Sequence, residues 1–487
     1  MKKEHGNTTT FQDILLIGSL ALLCALITLL SKPAKSSIDY TQNVAPKEEG
    51  TPLPDTLNII TLSGSTTYFT IQEEEMGYEY ELAKLFAESH QLPFKVTIAP
   101  NIEDLLKAVA NGDADICITP QPITQSGKTR FLFAGPESQS GLVLVQASNR
   151  KDKKISNVTE LLGKKITVPA GSRYAERIKH LSEQLGGEIN IAEAPGDTIN
   201  TEELMNEVSL GNIDYTLADE ETAKLIKTYY NNLDISIEVG FKQRLRWVVN
   251  KGSDKLAELL DKWAENLSLD KDYKMIYKKY FELNKSNGNI SGSKATIDHK
   301  REKIILLSNG AISPFDNLFK SESKRLGWPW QILASIAYHE SRFTSDIIGW
   351  SGARGLMGIM PNTGRRFGVT KDQLLDPRIS IKISVDCLLA FGKSFREIDD
   401  SIQRIKLTLA SYNAGLAHIQ DAQRLAKKYG HNPTVWDNNV EICLKLKSDP
   451  KYYNDPVCKY GYLRGKETIG YVTNVVGRAD NYMAKTR

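Results

Sequence analysis

The residue types best suited to chemistry fall in the last third of the chain, around Glu340. In the run QILASIAYHESRF, Leu333, Ile336 and Ala337 mark one apolar stripe at helical spacing, and Glu340 continues it. Trp328-Pro329-Trp330 precedes the run, and proline suits a helix's first turn, where its missing N–H costs nothing. A carboxyl group on the inward face of a helix is costly unless it is paired or protonated. Desolvation raises the pKa of a carboxylic acid, which suits a general acid near neutral pH. The spacing alone leaves a second reading open, a buried Glu neutralised by Arg342 or Arg354. Asp346 reads as a loop or cap residue, not as a second catalytic carboxyl. Further on, residues 349–363 read GWSGARGLMGIMPNT, with glycines at 349, 352, 355 and 358. Glycine at that density lets backbone approach a ligand closely and donate amides to it. Residues 410–415 read ASYNAG, where Tyr412 and Asn413 offer a hydroxyl and an amide that can orient a carboxyl group or a sugar. No His/Cys cluster has ligand spacing, so no metal and no cofactor are expected.

Together these segments resemble the catalytic domain of the soluble-type lytic transglycosylases, which has the goose-type lysozyme fold. The parts that match, in order, are Glu340-Ser341; Ser351 followed by Gly355-Leu356-Met357 and Ile359-Met360-Pro361; Tyr412-Asn413-Ala414-Gly415; and Glu467-Thr468 with Tyr471-Val472. The resemblance covers residues 304–487. It implies Glu340 as the catalytic acid, with Ser341, Ser351, Gly355, Met357, Tyr412, Asn413 and Tyr471 binding substrate. One position departs from the family: Gln usually follows Leu-Met, and here that residue is Gly358. Most glycosidases flank the bond with two carboxylates, whereas the reaction the resemblance implies needs only one. Protonated Glu340 donates to the oxygen of the β-1,4 bond between N-acetylmuramic acid and N-acetylglucosamine, and the substrate's acetamido group stabilises the anomeric carbon. Glu340 then takes the proton of the C6 hydroxyl, which closes a 1,6-anhydro ring without consuming water. Two rivals are a lysozyme that adds water and a solute-binding receptor whose helical domain binds peptidoglycan but is catalytically weak.

Ahead of this helical part, residues 56–283 alternate strand and helix patterns. Strands are expected at 57–62, 94–98, 115–118, 142–146 and 165–169, helices at 80–90 and 102–109, and an extended stretch at 236–249. Such alternation argues for parallel sheets with helices on both faces. The restart at 165–169, after the run around 142–146, argues for a second α/β lobe, and a cleft between two such lobes is a small-ligand site. The motif Gly77-Tyr78-Glu79-Tyr80-Glu81-Leu82-Ala83 and the run Asn111-Gly112-Asp113-Ala114-Asp115 resemble family-three bacterial solute-binding proteins. That resemblance implies Arg130 as the grip for a ligand carboxylate and Asp219 as the partner of its amino group, for an amino acid or a muropeptide. The whole layout, a solute-binding-type domain before a transglycosylase domain, resembles the membrane-bound lytic murein transglycosylase F family. Residues 412–422, Tyr452-Tyr453 and Tyr460-Gly461-Tyr462 share in that resemblance. The expected fold class is therefore α/β plus all-α: a two-lobed periplasmic-binding-protein-like domain followed by a helical goose-lysozyme-like domain.

The 487 residues suit about three cores. A net charge of +3 is too balanced for a dedicated nucleic-acid binder. Lys2 and Lys3 precede an uncharged apolar run at 14–30, and the following stretch carries Pro33, Pro46, Pro52 and Pro54. The run is near the short end of the ~17–25 residues of a spanning helix and exceeds the ~7–15 of a signal peptide's apolar core. Residues 1–31 thus read as an export signal or anchor and 32–55 as a polar linker, with the rest beyond the cytoplasmic membrane. Ala34-Lys35-Ser36 is a passable cleavage site, so the expected location is the periplasmic side: an inner-membrane anchor, or a peripheral outer-membrane association after cleavage. The polar stretch 284–303 reads as an interdomain linker. Cys117 reads as an inert buried residue, while Cys443 and Cys458 flank a polar loop and could pair in an oxidising compartment. The expected partners are peptidoglycan glycan strands, a small cell-wall ligand and the membrane.

Overall fold

The computed structural model describes residues 52–72, 74–150, 152–170, 172–194, 201–283 and 310–486. The export segment 1–31, most of the linker 32–55 and the linker 284–303 lie outside the described residues. Among the described residues no helix is long and apolar enough to cross a membrane.

The strands are β1 (Leu57–Leu62), β2 (Phe69–Ile71), β3 (Glu74–Met76), β4 (Phe94–Ala99), β5 (Ile116–Pro122), β6 (Phe131–Ser140), β7 (Leu142–Ala147), β8 (Lys165–Pro169), β9 (Asn190–Ala194), β10 (Tyr215–Asp219), β11 (Leu233–Glu238) and β12 (Gln243–Asn250). The helices of this half are α1 (Tyr78–Ser89), α2 (Ile102–Asn111), α3 (Gln125–Arg130), α4 (Arg173–Leu185), α5 (Thr201–Leu210), α6 (Glu220–Lys227), α7 (Asp254–Glu265) and α8 (Lys271–Tyr277). The first lobe is a sheet of order β4-β1-β5-β12-β6. Its β1 runs parallel to β4 and β5, as strands linked by helical crossovers do. Leu57, Ile59, Phe86, Ile118, Trp247 and Leu260 form its core. Local chemistry sets the helix ends: the Asn101 side chain accepts from the Asp104 N–H at 2.9 Å, and Gly112 closes α2 in the left-handed region.

The second lobe corrects the expectation of parallel sheets throughout. Its three-stranded sheet, β10-β7-β11, is antiparallel, and only β8 and β9 pair in parallel. The cause lies in the crossings. β6 passes out of the first lobe and runs through Gly141 directly into β7, while β11 returns into β12, which lies antiparallel to β5 and β6. The single extended stretch expected at 236–249 is therefore the end of one strand and most of the next, broken around Gly240.

The helical domain comprises α9 (Asp316–Leu326), α10 (Trp330–Ser341), α11 (Pro361–Arg366), α12 (Pro377–Gly392), α13 (Ser401–Ala414), α14 (Leu416–Lys428), α15 (Glu441–Leu446), α16 (Pro450–Tyr453) and α17 (Gly465–Lys485). Asp376 caps α12 and Asp400 caps α13 through backbone N–H groups. Leu333, Ile336, Leu356, Leu388, Leu409 and Val475 lie in one shared core. Cys443 and Cys458 are free thiols here, not a pair. Cys117 is buried, as expected, and burial raises its thiol pKa.

The hairpin of β2 and β3 docks on the helical domain. The Gln72 N–H donates to the Ala414 carbonyl at 3.2 Å, and the Glu74 carboxylate accepts from the Asn362 N–H at 3.1 Å. Behind the hairpin, fully buried Lys447 reaches Asp421 Oδ2 at 2.6 Å, the Tyr460 carbonyl at 2.8 Å and His418 Nδ1 at 3.0 Å. An ammonium can only donate, so His418 Nδ1 accepts and Nε2 carries the proton, which it gives to the Thr70 carbonyl at 2.9 Å. Burial and the Lys447 charge hold the His418 pKa down to about 3. An unfolded chain would bind a proton near the ordinary histidine pKa that this imidazole refuses. Folding stability is thus complete above about pH 6.5 and falls as pH drops towards 3, by up to ~1.4 kcal/mol per unit. Melting temperatures at pH 7.5 and pH 5 should fall less between the two for His418→Gln than for the wild type; equal falls would remove the assignment.

Candidate active site

Almost the whole circumference of α10 is buried, including Leu333, Ile336, Ala337 and Glu340, so the helix runs through the domain rather than along its surface. Pro329 is its N-cap residue, one position earlier than expected from the sequence. Glu340 is 5% exposed and lies on the wall of a 360 Å³ cavity. Immediately after it the chain turns through two non-glycine residues at positive φ, Arg342 and Phe343, a costly pair of conformations. The turn folds the Arg342 guanidinium over one face of the Tyr338 ring at 4.1 Å, while Arg478 covers the ring at 3.6 Å. Tyr471, on α17, lines the same cavity as Glu340; burial and the Glu340 charge push its phenol's pKa far up.

The site residues expected from the sequence separate into two sets. Glu340, Ser351, Asn413 and Tyr471 line the cavity. Asn413 is set by Thr468, whose hydroxyl donates to Asn413 Oδ1 at 2.7 Å. Ser341, Gly355, Met357 and Tyr412 do not line this cavity. Ser341 is fully buried, and its hydroxyl is 2.9 Å from the Ala337 carbonyl and 2.8 Å from that of Leu356. Buried Tyr412 donates to the Met357 carbonyl at 2.7 Å, and the Met357 N–H donates to Ser380 Oγ at 3.1 Å. These bonds fix the glycine-rich loop to the end of α10 and to α12 and α13. Gly355 has φ +74°, and a Cβ there would lie 1.9 Å from the Leu374 carbonyl oxygen. Gly355→Ala is therefore expected to cost ~3 kcal/mol of stability, measured by urea unfolding; a loss under half of that would mean that the loop relaxes freely.

The cavity also has walls that sequence reasoning missed. Phe69, Ile71 and Gln72 of the hairpin and Tyr229 and Tyr230 of the second lobe reach the same space as Glu340. Tyr229 packs edge-on to Trp350 at 6.3 Å and lies under the Arg464 guanidinium at 3.9 Å. Arg464 also reaches Glu202 of the second lobe, with Nη2 to Oε2 at 3.2 Å. The available signal was the 460–466 stretch, where two tyrosines are followed by Arg464 and Lys466 at the start of α17.

Residues 317–435 match the family model for the transglycosylase SLT domain, and residues 60–283 match that for bacterial extracellular solute-binding proteins, family 3. A membrane-bound lytic murein transglycosylase F of Pseudomonas savastanoi pv. phaseolicola is 30% identical over 443 residues, 88% of this chain and 82% of the relative. The chain belongs to the membrane-bound lytic murein transglycosylase F family. It is a peptidoglycan lytic transglycosylase, a lyase, with an N-terminal solute-binding domain. Another member, from Desulfosudis oleivorans, is 28% identical over 86% of this chain and 88% of its own. Among solved structures, the open second substrate-binding domain of Lactococcus lactis GlnP is 20% identical, covering 48% of this chain and 98% of that one, with a TM-score of 0.41.

The two residues expected to grip a ligand make no contact with each other among the described residues. Arg130 is exposed at the end of α3, its guanidinium 5.0 Å from the Phe131 ring. Asp219, at the end of β10, is held by Arg173 and by the Tyr174 hydroxyl at 3.1 Å. Arg173 opens α4 and escaped the sequence reading. Asp346 is exposed and absent from the cavity lining.

Proposed function

We propose that this transglycosylase cleaves the β-1,4 bond between N-acetylmuramic acid and N-acetylglucosamine with Glu340 as its single acid and base, leaving 1,6-anhydromuramoyl ends. The observation that carries this reading is a buried carboxyl on the cavity wall, beside Tyr471. Glu467 also lines the cavity, but it is exposed and its carboxylate lies 3.1 Å from Arg464. Burial favours the neutral acid that the first step requires. Once ionised, the same group accepts the C6 hydroxyl proton, so no activated water is needed. Mass measurement of muropeptides released from purified peptidoglycan tests this: anhydro ends are expected. Reducing ends would mean a hydrolase, and no release a receptor.

The solute-binding-type domain at 56–283 then takes a small cell-wall ligand, an amino acid or a muropeptide, with Arg130 and Asp219 as candidate contacts, and modulates the transglycosylase domain at 304–487. Support comes from Tyr462, just ahead of α17. Its N–H donates to Ser63 Oγ of the first lobe at 2.7 Å, and its hydroxyl donates to Glu202 of the second lobe at 2.6 Å. A change in lobe separation would pull on the helix that carries Tyr471. Calorimetry with free amino acids and stem peptides is expected to give saturable heat with at least one; none with any of them would remove the sensor. The working location is the periplasmic side of the envelope, held through residues 14–30, or peripheral to the outer membrane if that segment is cleaved.

A further inference from the structure

One of the two glutamates of the 77–83 signature, Glu79, lies outside both the transglycosylase cavity and the Arg130 and Asp219 region. It sits in the first turn of α1 and is 4% exposed. Its Oε2 accepts from Trp247 Nε1 at 2.7 Å, while Oε1 accepts no hydrogen bond among the described residues. The side chain lines a 300 Å³ cavity whose wall on the second lobe includes Glu221 of α6. Neither carboxyl has a cation within ion-pair distance among the described residues. The cations nearest to this wall are already taken: Lys224 lies 2.7 Å from Glu220, and Arg244 holds Glu137 at 2.6 and 2.7 Å. The rest of the wall mixes polar groups, among them Lys224, Glu137 and Ser138, with aromatic rings: the Tyr78 and Phe281 centroids lie 4.8 Å apart and Tyr277 lies 5.1 Å from Phe281. Neither Arg130 nor Asp219 lines this space.

We propose that this cavity is a second ligand site, distinct from the Arg130 and Asp219 region, for a small organic cation: a protonated amine on an apolar body. The ammonium bridges Glu79 of the first lobe and Glu221 of the second, and the apolar body lies against the tyrosines and Phe281. Burial, and for Glu79 also the charge of Glu221, pushes both carboxyl pKa values up, so a cation between them relieves a standing cost. Aromatic faces attract the same charge. The volume suits a ligand at the small end of the usual range. A calcium ion would want six or more oxygens, and no group of three or more acidic, His or Cys ligands occurs among the described residues. Because each lobe supplies one acid, an occupant ties the lobes together.

Calorimetry on the full-length protein with 2-phenylethylamine, its neutral analogue 2-phenylethanol and calcium chloride tests the site. Saturable binding of the amine is expected, with the alcohol at least about tenfold weaker. Glu79→Gln, which keeps an acceptor for Trp247, and Glu221→Gln on the other lobe should each weaken the amine about tenfold or more. No heat from the amine, equal binding of the alcohol, binding of calcium in its place, or affinity untouched by both variants would each overturn the proposal. The wild-type comparison of amine and alcohol needs no variant to fold.

Discussion

Glu340→Gln is expected to lower muropeptide release by at least about 10³-fold, because one side chain supplies both the acid of the first step and the base of the second. The fold should survive. Gln has nearly the same shape, and a buried amide costs less than a buried ionisable group. The melting temperature should therefore stay level or rise, while release from purified peptidoglycan disappears. Asp346→Asn provides the contrast: an exposed carboxyl outside the cavity should leave release unchanged. Release retained within tenfold by Glu340→Gln would move the proton donor elsewhere in the cavity, with Glu467 the next carboxyl to test. The acid's identity and the reaction's outcome are separate questions. A Glu340→Gln loss together with reducing ends from the wild type would keep the acid and discard the anhydro product.

Where the sequence was most legible, short-range periodicity coincided with burial. β1 runs over 57–62 as expected because Leu57, Ile59 and Ile60 face the first-lobe interior. The apolar stripe ending at Glu340 likewise pointed to an inward carboxyl, which burial of that side chain bears out. Motifs do not tell which of their residues line the cavity and which pack behind it. Ser341 shares a motif with Glu340, Met357 with Ser351 and Tyr412 with Asn413, yet the hydroxyl or backbone groups of Ser341, Met357 and Tyr412 bond to neighbouring segments away from the cavity. Spacing along the chain does not report which side of a loop faces the cavity. The antiparallel sheet of the second lobe was hidden for another reason: strand periodicity carries no direction, and direction there follows from where β6 and β12 cross between lobes. The roof over Glu340 was the least accessible feature. The bonds that seat it, such as Asn362 to Glu74 across 288 positions of sequence, join segments with no local signal for each other.

Gly358 shows both the reach and the limit of the sequence. The residue stands out as a departure from the family's Gln, but the reason for a glycine there is geometric. Its φ is +64°, and a Cβ built on it would lie 2.3 Å from Glu340 Oε2 and 2.9 Å from Cδ. Its N–H donates to the Gly355 carbonyl at 3.1 Å, so the tight turn presses the backbone against the carboxyl. Any side chain must either displace Glu340 or open the turn. Gly358→Ala is therefore expected to cost ~1–3 kcal/mol of stability through its backbone conformation. It should also lower release about 10²-fold, because a proton donor shifted by about an ångström misses the glycosidic oxygen. Gly358→Gln, which restores the family's residue, carries the same clash and should lose at least as much. The two effects separate experimentally: melting temperature reads the turn, and kcat for release, measured well below that temperature, reads the carboxyl. Full release from either variant would show that the carboxyl works from a position away from Gly358. Increased release would go further and make the arrangement against Gly358 a resting one, from which the acid swings towards the sugar.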